Sequence, residues 1–227
     1  MHIEPGVVDG AKIAFSYATA AGAFGLTAKM AMDTIRNDGG AAALAMRSVV
    51  TTALVFCFFQ VLPHYPVGVS EVHFILGATL YLIFGAGPAA IGLAAGLLLQ
   101  GLLFAPTDLP MYLVNVTTLV VPLWGVSMLA KRIVPAGTAY VDLRYSQVLA
   151  LSVAYQGGVI AWVAFWALYG QGAGAENLAS IGAFGAAYLL VVLIEPIIEL
   201  LVLAGAKALG PMGRSPLLYN RLHHAAV

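Results

Sequence analysis

Met1 and His2 carry the plainest chemistry in this chain. A free α-amine followed by histidine can present three nitrogens to one divalent ion: the amine, the deprotonated backbone nitrogen of His2, and its Nδ1. Two fused chelate rings place these nitrogens in a plane and leave a fourth corner for an imidazole from elsewhere. Tetragonal nitrogen coordination of this kind suits Ni(II) and Cu(II). The chelate requires a terminus that is neither cleaved nor blocked, and the bulky His2 predicts that Met1 is retained. A secretory signal would need a basic stretch before its apolar core, whereas here Glu4 and Asp9 come first and Lys12 is the only basic residue before it. The first ten residues therefore read as an extracytoplasmic, metal-chelating segment packed into a helix bundle formed by the rest of the chain.

Beyond that segment the chain is apolar. Charged residues make up 9% of the sequence and hydrophobic residues 61%, with a mean hydropathy of +0.94. Soluble domains carry about 25% charge, so the composition predicts an integral membrane protein, a single membrane domain over 1–227. Ten basic and ten acidic residues balance, which removes the electrostatic case for a nucleic acid partner. The single Cys57 lies in Val-Phe-Cys-Phe-Phe and reads as a small buried hydrophobe that cannot form an intrachain disulfide.

A bilayer core of about 30 Å calls for about 20 apolar residues per helix. The sequence predicts an all-α polytopic fold of seven spans, at about 11–33, 41–62, 73–86, 88–105, 110–131, 146–169 and 179–207. The third is short, with His73 at its start, and Gly85-Ala86-Gly87-Pro88 separates it from the fourth. Pro88 suits the first turn of a new helix; one long broken helix is the alternative. Seven spans with the N-terminus outside and the C-terminus cytoplasmic place Lys29, Arg36, Arg47, Lys131, Arg132, Arg144, Lys207, Arg214 and Arg221 inside and only Lys12 outside, the bias that sets topology. Met1, His2, His64, Glu71, His73, Asp108 and the start of the helix carrying Asn115 then share the outer side. His223 and His224 fall inside.

Gly92 and Gly96, and the Ala14, Ala18, Gly22 face, let helices approach closely and are expected to pack within the subunit, the alternative being a docking surface for a partner subunit. Tyr81, Tyr112, Trp124, Tyr169 and Tyr188 read as core or interfacial anchors. Glu195 and Glu199, four residues apart on one face of the last span, read either as a relay for protons or metal or, by preference, as a pair meeting basic residues of a partner subunit. Glu71 is a solvated or an entry-path carboxylate.

The Met-His-Ile start, an acidic residue and Gly6 resemble the CbiM/NikM family, the substrate-binding membrane components of energy-coupling factor (ECF) transporters for cobalt and nickel. Pro66 to Gly77, through Ser70-Glu71-Val72-His73-Phe74-Ile75-Leu76-Gly77, is similar to the family's Gly-Thr-Ser-Gly-His-Leu-Ile-Gly stretch, whose His completes the metal site. Gly85-Ala86-Gly87-Pro88, then Leu99 to Ala105, then Leu113-Val114-Asn115-Val116 come next in the family's order. Glu4-Pro5 stands where the family has an acidic residue directly before Gly6, Glu71-Val72 replaces Ser-Gly, and Thr118 takes the place of a second Asn. The resemblance implies that Met1 gives its amine, His2 its amide nitrogen and Nδ1, and His73 the fourth nitrogen, with Asn115 holding the N-terminal segment in place. His64, in Leu-Pro-His-Tyr-Pro, is a loop residue beside the site rather than a ligand.

No Gly-x-x-x-x-Gly-Lys-Ser/Thr phosphate loop is present. The expected function is capture of Co2+ or Ni2+, as transported substrate with no other cofactor, by one subunit of an ATP-driven importer in the cell's inner or plasma membrane. A transmembrane coupling (T) subunit and cytoplasmic ATPase subunits would come from other chains. The alternatives are an intramembrane metalloenzyme built on Met1, His2 and His73, and a metal-independent structural subunit. A saturated nitrogen square leaves no equatorial position for a substrate, which disfavours the enzyme.

Overall fold

Backbone N–H and C=O groups in lipid must be satisfied within the chain, so apolar runs of this length become helices. The computed structural model describes residues 2–210 and 215–224. Among these it forms seven α-helices: α1 Ala14–Asn37, α2 Gly40–Gln60, α3 Gly77–Phe84, α4 Ala86–Leu103, α5 Tyr112–Ile133, α6 Tyr145–Gln171 and α7 Ala175–Leu209. Five of them, α2, α4, α5, α6 and α7, are long and apolar enough to cross a membrane. The chain is an all-α, multi-pass membrane protein.

The third passage departs from the expectation. Its helix begins at Gly77, and His73 lies in a non-helical stretch before it. Residues 65–72 form an antiparallel hairpin instead, β1 Tyr65–Val67 and β2 Ser70–Val72, turning at Gly68 with φ +60°. Leu76 lies beyond it in the left-handed region at φ 53°, and Gly77 lies against the Tyr155 ring with no room for a Cβ. Eight helical residues span only ~12 Å; the preceding stretch 73–76, where extended, adds ~13 Å. Linker and short helix together thus approach the length of one crossing.

The bundle has two distinct ends. The N-terminal segment, the hairpin, the 3-10 turn Pro106–Met111 and the α6–α7 corner gather at one: His2 shares a small cavity with Asp108, Leu109 and Asn115, and Lys12 Nζ donates to Gly170 O at 2.5 Å. The α1–α2 turn, the α3–α4 corner, residues 134–144 and the tail 215–224 gather at the other, where Tyr219 N donates to Ile83 O and Arg221 to Val134 and Pro135 carbonyls.

Several local expectations are corrected by packing. Gly92 and Gly96 do seat α4 on α2, against Thr51 and Val55. Ala14, Ala18 and Gly22, however, face outward; α1 buries Ser16, Ala20, Ala23, Thr27, Met30 and Thr34. Cys57 is exposed, because α2 buries the face of Thr51, Val55 and Phe59 and 100° per residue turns position 57 away from it. Glu195 and Glu199 are 0% and 1% exposed, so neither can meet a partner's basic residue, and Lys207 pairs with Asp142 at 2.7 Å instead. Glu195 Oε1 accepts the backbone N–H groups of Ile75, at 2.7 Å, and Leu76, at 3.0 Å. It anchors the turn that starts α3.

Candidate metal centre

The N-terminal segment enters the fold as a strand. Ile3 forms an antiparallel bridge with Ser70, Glu71 N donates to His2 O at 2.9 Å, and Glu4 N donates to Val69 O at 3.1 Å. The Ser70 hydroxyl donates to His2 O at 2.9 Å. From the opposite side Asn115, on the second turn of α5, accepts the Ile3 N–H on its Oδ1 at 2.9 Å. Ile3 itself is fully buried, which holds the neighbouring His2 at a fixed height against the hairpin.

In extended backbone, residues two apart point to one side. Glu71 at the hairpin and His73 just beyond it converge there, and His2 meets both from the paired strand. His2 Nδ1 and His73 Nε2 are 3.3 Å apart, and each is 2.8 Å from the same carboxylate oxygen, Glu71 Oε2. Atoms bound at ~2.0–2.2 Å to a common ion stand about 3 Å apart when adjacent in its coordination shell, so the triangle has the dimensions of a metal site. Both imidazoles are buried, at 3% and 1% exposure. Phe59 walls them, edge-on to His2 with ring centroids 5.9 Å apart and tilted against His73 at 5.4 Å. His64 stacks on His73 at 4.9 Å and 7°, and its Nδ1 contacts Leu62 O rather than the centre.

Burial pushes the His2 imidazole below its ordinary pKa, against the hydrogen bond and charge of Glu71, and pushes His73 further down for the same reason. Burial alone would raise the Glu71 carboxyl, but the hydrogen bonds and charges of both histidines outweigh it and hold it well below the usual carboxylate range. The centre therefore favours neutral imidazoles beside an ionised carboxylate, the protonation states that metal ligation requires. His2 Nε2, His73 Nδ1 and Asn115 Nδ2 are buried without a hydrogen-bond partner among the described residues.

Of the residues singled out from sequence, His2, His73, Asn115 and His64 come together here. Met1 lies outside the described residues, and no contact is assigned to its amine. Glu71 is the residue whose place sequence reasoning missed. Its spacing of two from His73 was the available signal, concealed by reading His73 as the first residue of a helix, where i and i+2 diverge.

A sequence model of the CbiM family, described as the cobalt uptake substrate-specific transmembrane region, matches residues 2–212. The chain belongs to the CbiM family. Two crystal structures share the fold of this CbiM chain. One, of a truncated transition metal transporter, is 18% identical with a TM-score of 0.68, over 92% of this chain and 99% of that one. The other, of a transition metal transporter, is 18% identical with a TM-score of 0.66, over 92% and 93%. No curated protein matches the chain. Membership makes this a substrate-binding membrane component of transition-metal uptake.

Proposed function

We propose that this CbiM chain is the capture subunit of an ATP-driven ECF-type importer and that it binds Co2+ or Ni2+ through Met1, His2 and His73. His2 gives Nδ1 and its backbone nitrogen, His73 gives Nε2, and the amine of Met1, when free, closes the square. The observation that carries the reading is the 3.3 Å approach of His2 Nδ1 and His73 Nε2, two histidines distant in sequence, one on the N-terminal strand and the other just beyond the hairpin that pairs with it.

In the metal-free centre both imidazoles face one oxygen of Glu71, each able to donate an N–H to it. Loading requires lone pairs at those same two nitrogens, so the ion takes the place of two protons and the rings change tautomer or release protons. Glu71 then supplies negative charge beside the dication. Asn115 holds the ligand strand through Ile3 N, and His64 restrains the His73 ring by stacking. The first ten residues act as an extracytoplasmic chelating segment. The side of the membrane follows from the nine-to-one distribution of basic residues, which puts the tail end in the cytoplasm.

No phosphate loop for ATP is present in the sequence, so the energy comes from ATPase subunits through a transmembrane coupling subunit. The deciding experiment is metal analysis of purified protein with a verified native N-terminus, paired with Co2+ and Ni2+ uptake on co-expression with those partners. Stoichiometric metal and ATP-dependent uptake are expected. Protein that binds neither ion would overturn the capture role.

A further inference from the structure

α6 and α7 run antiparallel, and their polar residues meet in register along a seam closed by α3. Gln156 lies opposite Glu195; one turn further on each helix, Ser152 lies opposite Glu199. The first of these layers is saturated: Glu195 accepts two backbone N–H groups on one oxygen and the Gln156 amide N–H on the other. The second is open. Glu199 is 1% and Ser152 0% exposed. Neither Glu199 oxygen, nor the Ser152 hydroxyl, nor the Thr79 hydroxyl has a hydrogen-bond partner among the described residues. Ser152 and Thr79 adjoin the carboxyl all the same, and the Thr79 backbone N–H, at the start of α3, lies beside it too.

The direction of those hydroxyls is informative. Ser and Thr inside apolar helices ordinarily bond back to a carbonyl one turn earlier, and here Thr27, Thr34, Thr51, Thr117, Thr118 and Ser127 do so. Ser152 and Thr79 leave their own helices unbonded and turn to Glu199. Oxygen ligands thus converge from three helices on a place where an uncompensated carboxylate is costly and ionisable groups mark ion pathways.

We propose that Glu199, Ser152 and Thr79 form a second, all-oxygen cation site through which the divalent ion passes after leaving the capture centre. The proposal rests on the capture reading for its source of ions. Continuity supports it: Glu195 grips the two backbone positions just behind His73, and Thr79 lies one turn further along α3, away from the hairpin. Ligand type supports it too. Carboxylate and hydroxyl oxygens hold cobalt and nickel less tightly than nitrogens and suit Mn2+ and Mg2+, and a conducting path needs sites weak enough to leave.

The test uses full-length protein with a native N-terminus in lipid nanodiscs, its capture centre first filled with Ni2+ and then titrated with Mn2+, free Mn2+ being followed by electron paramagnetic resonance. The Ni2+-loaded parent should take up one further equivalent of Mn2+. Glu199→Gln should weaken that equivalent about tenfold or more without changing Ni2+ affinity, and Ser152→Ala with Thr79→Ala should shift it in the same direction. The paired hydroxyl variant carries the test should Glu199→Gln fail to stay monodisperse and helical. His73→Ala should weaken Ni2+ and spare Mn2+. A parent that binds no Mn2+ at millimolar concentration, or a Glu199→Gln protein that binds it as well as the parent, overturns the second site. A His73→Ala protein with undiminished Ni2+ affinity overturns the capture reading and leaves the Mn2+ result standing.

Discussion

At the hairpin end, two imidazoles and an amide are buried with ring nitrogens and an N–H left over; at the tail end, the Ser48 hydroxyl and Arg221 Nε are left over as well, but the buried charges are paired. There Arg47, 1% exposed, forms an ion pair with Asp38 and donates to Pro216 O at 2.9 Å. Asp38 also accepts Asn220 N–H, Tyr81 and Tyr140 join hydroxyls at 2.8 Å, and Arg221 lies over the Tyr140 ring at 5.0 Å. A buried polar group without a partner is costly, so a fold retains such groups where a ligand completes them. The tail end is held by its own residues. On the proposed capture reading, the hairpin end is finished by the ion that it binds.

The largest effect should come from the ligands. Residues added before Met1 convert its amine to an amide, and tight binding of Ni2+ or Co2+ should vanish while the protein remains folded in the membrane. His73→Ala should weaken binding by several orders of magnitude, and far more than His64→Ala, by titration of each against the parent. Equal, small losses would show that the contrast between the ends has nothing to do with metal.

Arg47→Ala should act at the other end only. Leaving Asp38 buried without its partner typically costs about 3–5 kcal/mol, the range for breaking a buried pair. Thermal unfolding should register it, whereas Ni2+ affinity measured below the unfolding transition should hold. Coupled losses of both would mean that the two ends are one cooperative unit. Asn115→Ala is expected to fall between, loosening the ligand strand and weakening metal binding by ~10–100-fold with little change in unfolding.

Acid should separate the ends as well. His2 and His73 have pKa values lowered from 6.5 by burial, so below pH 6.5 the unfolded chain takes up protons that the folded one refuses, and stability falls as pH drops toward the folded values. Glu71, held low by the two histidines, contributes stability above the ordinary carboxylate pKa that is likewise lost as pH falls toward its folded value. Hydrogen exchange of the metal-free protein should accelerate at Ile3 and Glu71 on acidification before it does at Tyr219. Simultaneous loosening at both ends would contradict that order. The smallest effect belongs to Cys57→Ala: an exposed position on the lipid side of α2 should change stability by no more than about 0.5 kcal/mol, and a lipid-soluble maleimide should label the parent readily.

The sequence made the helices legible because apolar length and basic-residue bias are signals that each stretch carries alone. The five long spans needed nothing else. The proposed ligands were singled out for a different reason, since Met1-His2 and the segment around His73 resemble a family whose model spans residues 2–212. What could not be read was the backbone between them. Val-Ser-Glu-Val-His-Phe-Ile-Leu is apolar and alternating enough for strand or helix, and the choice was made by distant partners. Ile3 bridges Ser70, and Glu195 takes the N–H groups of Ile75 and Leu76 from a helix 119 and 120 residues away. The same long range hid the role of Glu195, whose place on α7 gave no hint that it ends a turn in the third passage. Ala14, Ala18 and Gly22 erred for a local reason: small residues permit close packing but do not compel it.

The strand that brings His2 to the hairpin is joined to the fold there by backbone hydrogen bonds at Ile3, Glu4 and Glu71. This is the joint by which separate peptides add themselves to the edge of a sheet. Part of the proposed metal pocket is therefore itself a docked guest, attached to its host by continuity of the chain from Pro5 onward. On the proposed capture reading, the ion would be the second occupant of this end, its residence time bounded by that of the first.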